Sequence, residues 1–115
     1  AKGQMEDFKD PPKFKGWDKK YEPLLEYKGF ARALLSTRKN HHVLDQINKK
    51  IGKMAVPQFA IWGDSDSVLP LKQVEEKIAK IMPNLKLFVI KDSGHLPHKE
   101  QFDAFNHIFF EEIIG

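Results

Sequence analysis

A chain of 115 residues has the length of one small domain, and its 41% apolar and 30% charged residues are the proportions of a soluble globular protein. It has no cysteine, which excludes disulfides, thiolate metal ligation and a cysteine nucleophile. The net charge of +3 is uneven: residues 1–57 carry 13 Lys/Arg against 7 Asp/Glu and residues 58–115 carry 6 against 9, yet bases and acids alternate, as in Asp18-Lys19-Lys20-Tyr21-Glu22. Such mixing suits a solvated surface, not the basic stripe that a nucleic-acid partner needs.

No apolar run approaches the roughly 20 residues that cross a bilayer, so no transmembrane segment is expected. The opening Ala1-Lys2-Gly3-Gln4-Met5 lacks an apolar signal region, and its want of an initiating Met reads as a cut chain; the residues leave the compartment open. Residues 1–20, with Pro11-Pro12 and Gly16, predict an extended lead-in. Leu24, Leu25, Phe30, Ala31, Ala33, Leu34 and Leu35 predict a helix over Glu22–Lys39, with Pro23 in its first turn. Val43, Leu44, Ile47 and Ile51 predict another over His42–Lys53, stopped near Gly52.

Pro57 marks a change of composition that divides a helical stretch, 1–55, from a sheet-forming one, 56–115. Phe59-Ala60-Ile61-Trp62 and Leu85-Lys86-Leu87-Phe88-Val89-Ile90 are short apolar runs of the kind found in parallel strands covered on both faces. Between them, after Pro70, Leu71, Val74, Ile78 and Ile81 fall on one side of a helix that stops before Pro83. A last helix is expected over His98–Ile114, with Phe102, Phe105, Phe109 and Ile113 on one side. Strand, helix, strand, helix is a crossover pattern, and it makes the two strands parallel.

Ligands of open parallel sheets bind beyond the carboxyl ends of the strands. Asp64 and Asp66 follow the first strand and His95 follows the second, so a carboxylate and an imidazole reach one rim. A carboxylate there can fix the tautomer and orientation of a general-base histidine, and Gly94 permits the tight turn that presents it. Taken alone, Asp64-Ser65-Asp66 reads better as turn and helix-capping chemistry ahead of Leu71, and the partnered His95 reverses that preference.

The stretch Val56-Pro57-Gln58-Phe59-Ala60-Ile61-Trp62-Gly63-Asp64-Ser65-Asp66-Ser67-Val68-Leu69-Pro70 resembles the acid-bearing strand and loop of the α/β-hydrolase family. Ser93-Gly94-His95-Leu96-Pro97-His98-Lys99-Glu100 resembles that family's histidine loop, and Phe105-Asn106 the closing helix after it. The resemblance implies an α/β fold of which this chain is the C-terminal βαβα portion, preceded over 1–55 by cap-type helices, and an incomplete domain. It implies a triad acid at Asp66, the fourth position of the Gly63–Asp66 turn, with Asp64 as second choice, and a general base at His95. Tyr27-Lys28-Gly29-Phe30-Ala31-Arg32-Ala33-Leu34-Leu35-Ser36-Thr37 resembles the segment following the cap in some members.

The family's nucleophile stands on an elbow, typically Gly-x-Ser-x-Gly. The serines here are Ser36, Ser65, Ser67 and Ser93, and none lies in that motif. The implied activity is therefore that of a serine esterase or lipase-like hydrolase whose nucleophile and remaining strands lie upstream, so the partners expected are a small ester or acyl substrate and the rest of the hydrolase domain. An Asp nucleophile, as in epoxide hydrolases and haloalkane dehalogenases, and a non-catalytic binding fragment are the alternatives. Trp17, Tyr21 and Phe14, with Val68 and Leu96, are candidate pocket residues, although simple packing explains them as well. No cofactor is expected: no phosphate loop or dinucleotide fingerprint occurs. Nor is a metal, since Pro97 between His95 and His98 precludes a helical His pair, and His41-His42 adds no spacing of that kind. His98 is expected to cap or orient the last helix, Glu100 to sit in its first turn and His107 to lie on its flank.

Overall fold

A computed structural model describes residues 2–41 and 43–115. Two 3₁₀ segments, Lys2–Asp7 and Pro11–Phe14, lead into helices α1 (Trp17–Leu25), α2 (Phe30–Lys39) and α3 (Asp45–Ile51). Strand β1 (Phe59–Gly63), helix α4 (Leu71–Ile81) and strand β2 (Lys86–Ile90) follow, and α5 (Pro97–Glu100), α6 (Phe102–His107) and a π-helical turn (Ile108–Ile114) close the chain. Among the described residues no helix is long and apolar enough to cross a membrane.

The βαβ unit is formed as its residues predict. β1 and β2 pair in parallel from Phe59↔Lys86 to Gly63↔Ile90, with α4 as the crossover. Leu71, Val74, Ile78 and Ile81 are the four half-buried residues of α4, and the polar positions between them are exposed. The strands are not covered on both faces, however. Only Gly63 and Ile90 of the ten strand residues are buried, and Val89 is exposed. A two-stranded parallel sheet has two free edges and too few neighbours to cover it. The radius of gyration, 16.5 Å, likewise exceeds the roughly 13 Å of a compact domain of this length.

The helical half departs from the predicted one-helix pattern. Residues 22–39 form two helices, because Gly29 takes φ 89°, a left-handed conformation that no continuous right-handed helix accommodates. Pro23 lies inside α1 and not in a first turn; its ring lacks the N–H that would bond back to Lys19, and α1 ends two residues later. The predicted helix from position 42 is present from Asp45 to Ile51, and its first predicted residue lies outside the described residues.

Both termini also differ from expectation. Residues 2–14 are not a free lead-in: Phe8 is buried, stacked on Phe14 at 4.1 Å between ring centroids and edge-on to Trp17 at 5.5 Å. The last helix is broken at Gln101 (φ −132°, ψ 59°), whose side-chain amide donates to the Asp92 carbonyl at 3.0 Å. Phe105 and Phe109 stack at 6.1 Å, Phe102 beside the break stands in the open, and the last turn, Ile108–Ile114, is π-helical. Of the two roles expected for His98, capping is not found, and its ring meets Phe105 of α6 edge-on at 5.9 Å.

Candidate active site on the sheet rim

At the carboxyl end of β1 the chain turns through Asp64 to Ser67, and at the end of β2 it turns through Lys91 to Leu96. The backbone stitches the two turns together: Asp64 N–H donates to the Ile90 carbonyl at 3.0 Å and Ser65 N–H to the Ser93 carbonyl at 2.9 Å. So close an approach requires glycine at the end of β1. A Cβ on Gly63 would collide with the carbonyl oxygens of Ser93 and Gly94 and stand 2.7 Å from the Ser93 carbonyl carbon. Gly94 is needed for a related reason and not for a left-handed turn, since its φ is not positive. Its missing Cβ leaves room for Asp7 O and Lys9 N, each 2.7 Å from where that atom would be.

Asp66 and His95 meet across this seam. Asp66 Oδ2 lies 2.9 Å from His95 Nδ1, with the aspartate side chain 2% exposed and the imidazole 32%. The other oxygen, Oδ1, accepts the N–H groups of Val68 at 2.9 Å and Leu69 at 2.8 Å. One carboxylate thus performs the turn chemistry and the histidine contact together, one oxygen for each. It does not cap α4, whose N-terminal boundary residue is Pro70 and which has no side-chain cap. Because a carboxylate only accepts, the pairing selects the imidazole tautomer that carries its proton on Nδ1, which leaves Nε2 a lone pair. Asp64 is exposed and accepts instead from the Ser65 hydroxyl at 2.8 Å.

None of the five candidate pocket residues, Phe14, Trp17, Tyr21, Val68 and Leu96, lines the small cavity at His95. The cavity beside it, about 200 Å³, is lined by Ile61, Trp62, Gly63, Asp66, His95 and Pro97. Trp17 packs on Phe8 with Lys20 and Lys99 over its ring, Tyr21 sits edge-on to Phe30, Val68 is exposed, and Leu96 is half-buried. Larger depressions of about 560 and 430 Å³ lie along α3 and α4. The larger holds the exposed Asp45–Lys77 ion pair, 2.7 Å apart, but neither holds a carboxylate paired with a histidine, so the chemistry points to the smaller one despite its size. It falls short of the roughly 300–1,000 Å³ of ligand pockets and has walls on only part of its perimeter. Among the described residues no group of three or more His, Asp or Glu is placed to hold a metal ion.

Two residues at the rim were not legible in the sequence. Ser93 is fully buried with an unpartnered hydroxyl, and Glu100, beyond its place in the first turn of α5, turns its carboxylate back onto the histidine loop. The nearby Lys9 Nζ pairs with Asp92, a residue held at φ 55°. A hydrogen bond from Lys9 holds the Asp92 carboxyl below the usual carboxylate range, and the same bond raises the Lys9 ammonium. A lowered acid contributes stability that is lost as pH falls through its folded pKa, and a raised lysine contributes stability that is lost as pH rises through its own. The pair therefore acts across the middle pH range and fades at both extremes. In Lys9→Met the Asp92 carboxyl is expected to titrate upward, towards the ordinary range, when followed by carbon-13 NMR. An unchanged Asp92 titration would remove Lys9 as the cause.

The chain is similar to Lipase 1 of Psychrobacter immobilis, 32% identical over 68 residues that make up 57% of this chain and 21% of that lipase. It is also similar to Lipase 3 of Moraxella sp. (strain TA144), 35% identical over 52 residues, 45% of this chain and 16% of that protein. The matched stretches span about a fifth or less of the length of these curated relatives, and no solved structure matches. A family model described as the alpha/beta hydrolase fold matches residues 6–102, most of the chain, and the protein belongs to that family.

Proposed function

We propose that this chain is the acid- and base-bearing part of a serine hydrolase acting on acyl esters, with Asp66 as triad acid and His95 as general base. The observation that carries the reading is the buried Asp66 carboxylate 2.9 Å from His95 Nδ1 on one rim of a parallel βαβ unit. Similarity to two lipases supports an ester substrate.

In this mechanism His95 Nε2 takes the proton of a serine hydroxyl as the serine oxygen attacks the ester carbonyl carbon. The tetrahedral oxyanion collapses, the C–O bond to the alcohol breaks, and the imidazolium returns its proton to the departing alkoxide. Water, deprotonated by the same nitrogen, then attacks the acyl-serine and releases the carboxylic acid. Asp66 holds the ring and stabilises the imidazolium throughout. The serine and the oxyanion-stabilising N–H groups belong to sequence outside these 115 residues. So do the elements that cover the half-buried strands and wall the cavity beside His95. Residues 56–115 form the C-terminal part of the core in this reading, and residues 1–55 form a cap-side segment whose first turn is fastened to it.

The full-length protein is expected to hydrolyse p-nitrophenyl acyl esters and to lose that activity on reaction with one equivalent of a serine-directed fluorophosphonate. Ester hydrolysis untouched by the phosphonate would reject the serine. Turnover of epoxides or haloalkanes without ester hydrolysis would assign an aspartate nucleophile instead.

A further inference from the structure

Three consecutive backbone N–H groups, those of Gly94, His95 and Leu96, carry the histidine, and none bonds within a regular helix or strand. Gly94 N–H donates to Glu100 Oε1 at 2.8 Å, and Leu96 N–H reaches the same oxygen at 3.4 Å. His95 N–H donates to the Asp7 carbonyl at 2.7 Å. The second oxygen of Glu100, Oε2, accepts from Lys9 N–H at 2.8 Å, 91 residues away in sequence. One carboxylate therefore joins the histidine loop to the N-terminal segment that supplies the third acceptor. The segment is anchored independently by buried Phe8. Carboxylate-to-amide bonds are about twice as strong as neutral ones.

We propose that Glu100 is a positioning residue for His95: its carboxylate fixes the backbone on either side of the histidine and holds residues 5–9 where the Asp7 carbonyl completes the clamp. Asp66 sets the rotation of the ring, and Glu100 sets where the ring begins. This inference rests on the role proposed for His95. It assigns a function to a carboxylate whose hydrogen bonds all go to backbone N–H groups. A displacement of about 1 Å at a reacting group can cost roughly a hundredfold in rate, so the placement of the loop matters as much as the pairing.

The test compares Glu100→Ala, Glu100→Gln and His95→Ala in the full-length protein with a p-nitrophenyl ester. Glu100→Ala removes both carboxylate acceptors and leaves only the Asp7 carbonyl, and it is expected to lower kcat roughly 30- to 100-fold with KM changed less than about threefold. Glu100→Gln keeps a carbonyl oxygen for Gly94 but presents an N–H to Lys9, and it is expected to lose roughly tenfold in kcat. The low-field proton resonance of His95 Nδ1–H should broaden in the same order, a readout that a uniform loss of stability does not produce below the melting temperature. Should the alanine variant not fold, the Gln variant carries both readouts. Wild-type kcat together with an unaltered Nδ1–H signal in Glu100→Gln and Glu100→Ala would overturn the inference, as would a loss confined to KM. If His95→Ala itself keeps full activity, the underlying catalytic reading fails and not the clamp alone.

Discussion

Replacing His95 by Ala in the full-length protein is expected to lower kcat on an ester substrate by roughly a millionfold, and Asp66→Asn by roughly ten-thousandfold. The second substitution is the sharper one, because the two oxygens of Asp66 have separate work. An asparagine side chain must place its carbonyl oxygen where Oδ1 now accepts Val68 N–H and Leu69 N–H, since its amide would meet two donors there. The NH₂ then faces His95 Nδ1 and donates to it. The ring responds by carrying its proton on Nε2, the nitrogen that has to accept from the serine. The fold survives and the base is lost. Asp66→Ala, by contrast, also strips the turn of its acceptor and should lower the melting temperature, which Asp66→Asn should leave within a few degrees. Kinetics of the purified variants beside thermal melts separate the two effects. An Asn variant that keeps a tenth of the wild-type kcat would remove Asp66 from the catalytic apparatus.

The largest structural effect is expected at Gly63. Its α-carbon lies against the Ser93–Gly94 peptide, and a methyl group there meets backbone atoms that cannot rotate away. Those atoms are held by the Asp64-to-Ile90 and Ser65-to-Ser93 hydrogen bonds, so making room breaks the seam that carries Asp66 to His95. Gly63→Ala should cost about 3 kcal/mol, the upper end of overpacking penalties, and lower the melting temperature by roughly 10 °C. Gly3→Ala is the control, since no atom lies within 4 Å of its added methyl. It should stay within about 0.5 kcal/mol. A Gly63→Ala variant as stable as wild type would mean that the acid and histidine turns are not packed as described.

The parts of the molecule that were legible in advance are those whose signal is local. The apolar run Phe59–Trp62 and the helical period of Leu71–Ile81 each show within a dozen residues, and the turn after each strand follows from where the strand ends. That Asp66 and His95 share a rim followed from a parallel crossover alone. The illegible parts depend on contacts between distant segments. Nothing around Lys2–Phe14 states that Phe8 will be buried or that Asp7 will lend its carbonyl to His95, and those contacts decide that the segment is not a loose lead-in. The break at Gln101 has the same origin, because its side chain is drawn to the Asp92 carbonyl. Gly29 and Pro23 were readable letters given the wrong weight: the apolar spacing across residues 24–35 outvoted the glycine that divides it. The candidate pocket residues were hard to place for a further reason. Aromatic and aliphatic side chains carry no mark of the neighbour they will choose, and Trp17 and Tyr21 chose Phe8 and Phe30.

The two kinds of hold on His95 also differ in when they can form. The ring's partner, Asp66, is 29 residues away within a single strand–helix–strand unit, whereas the link from Glu100 to Lys9 closes a loop of 91. Closing the longer loop costs more chain entropy, and non-local contacts form late in folding. The acid and base can therefore find each other while the first residues are still unattached. The histidine backbone becomes fixed only when the start of the segment returns to it. A chain arrested between those two events holds a correctly paired imidazole on an untethered loop, and in refolding experiments the pairing should precede the recovery of activity.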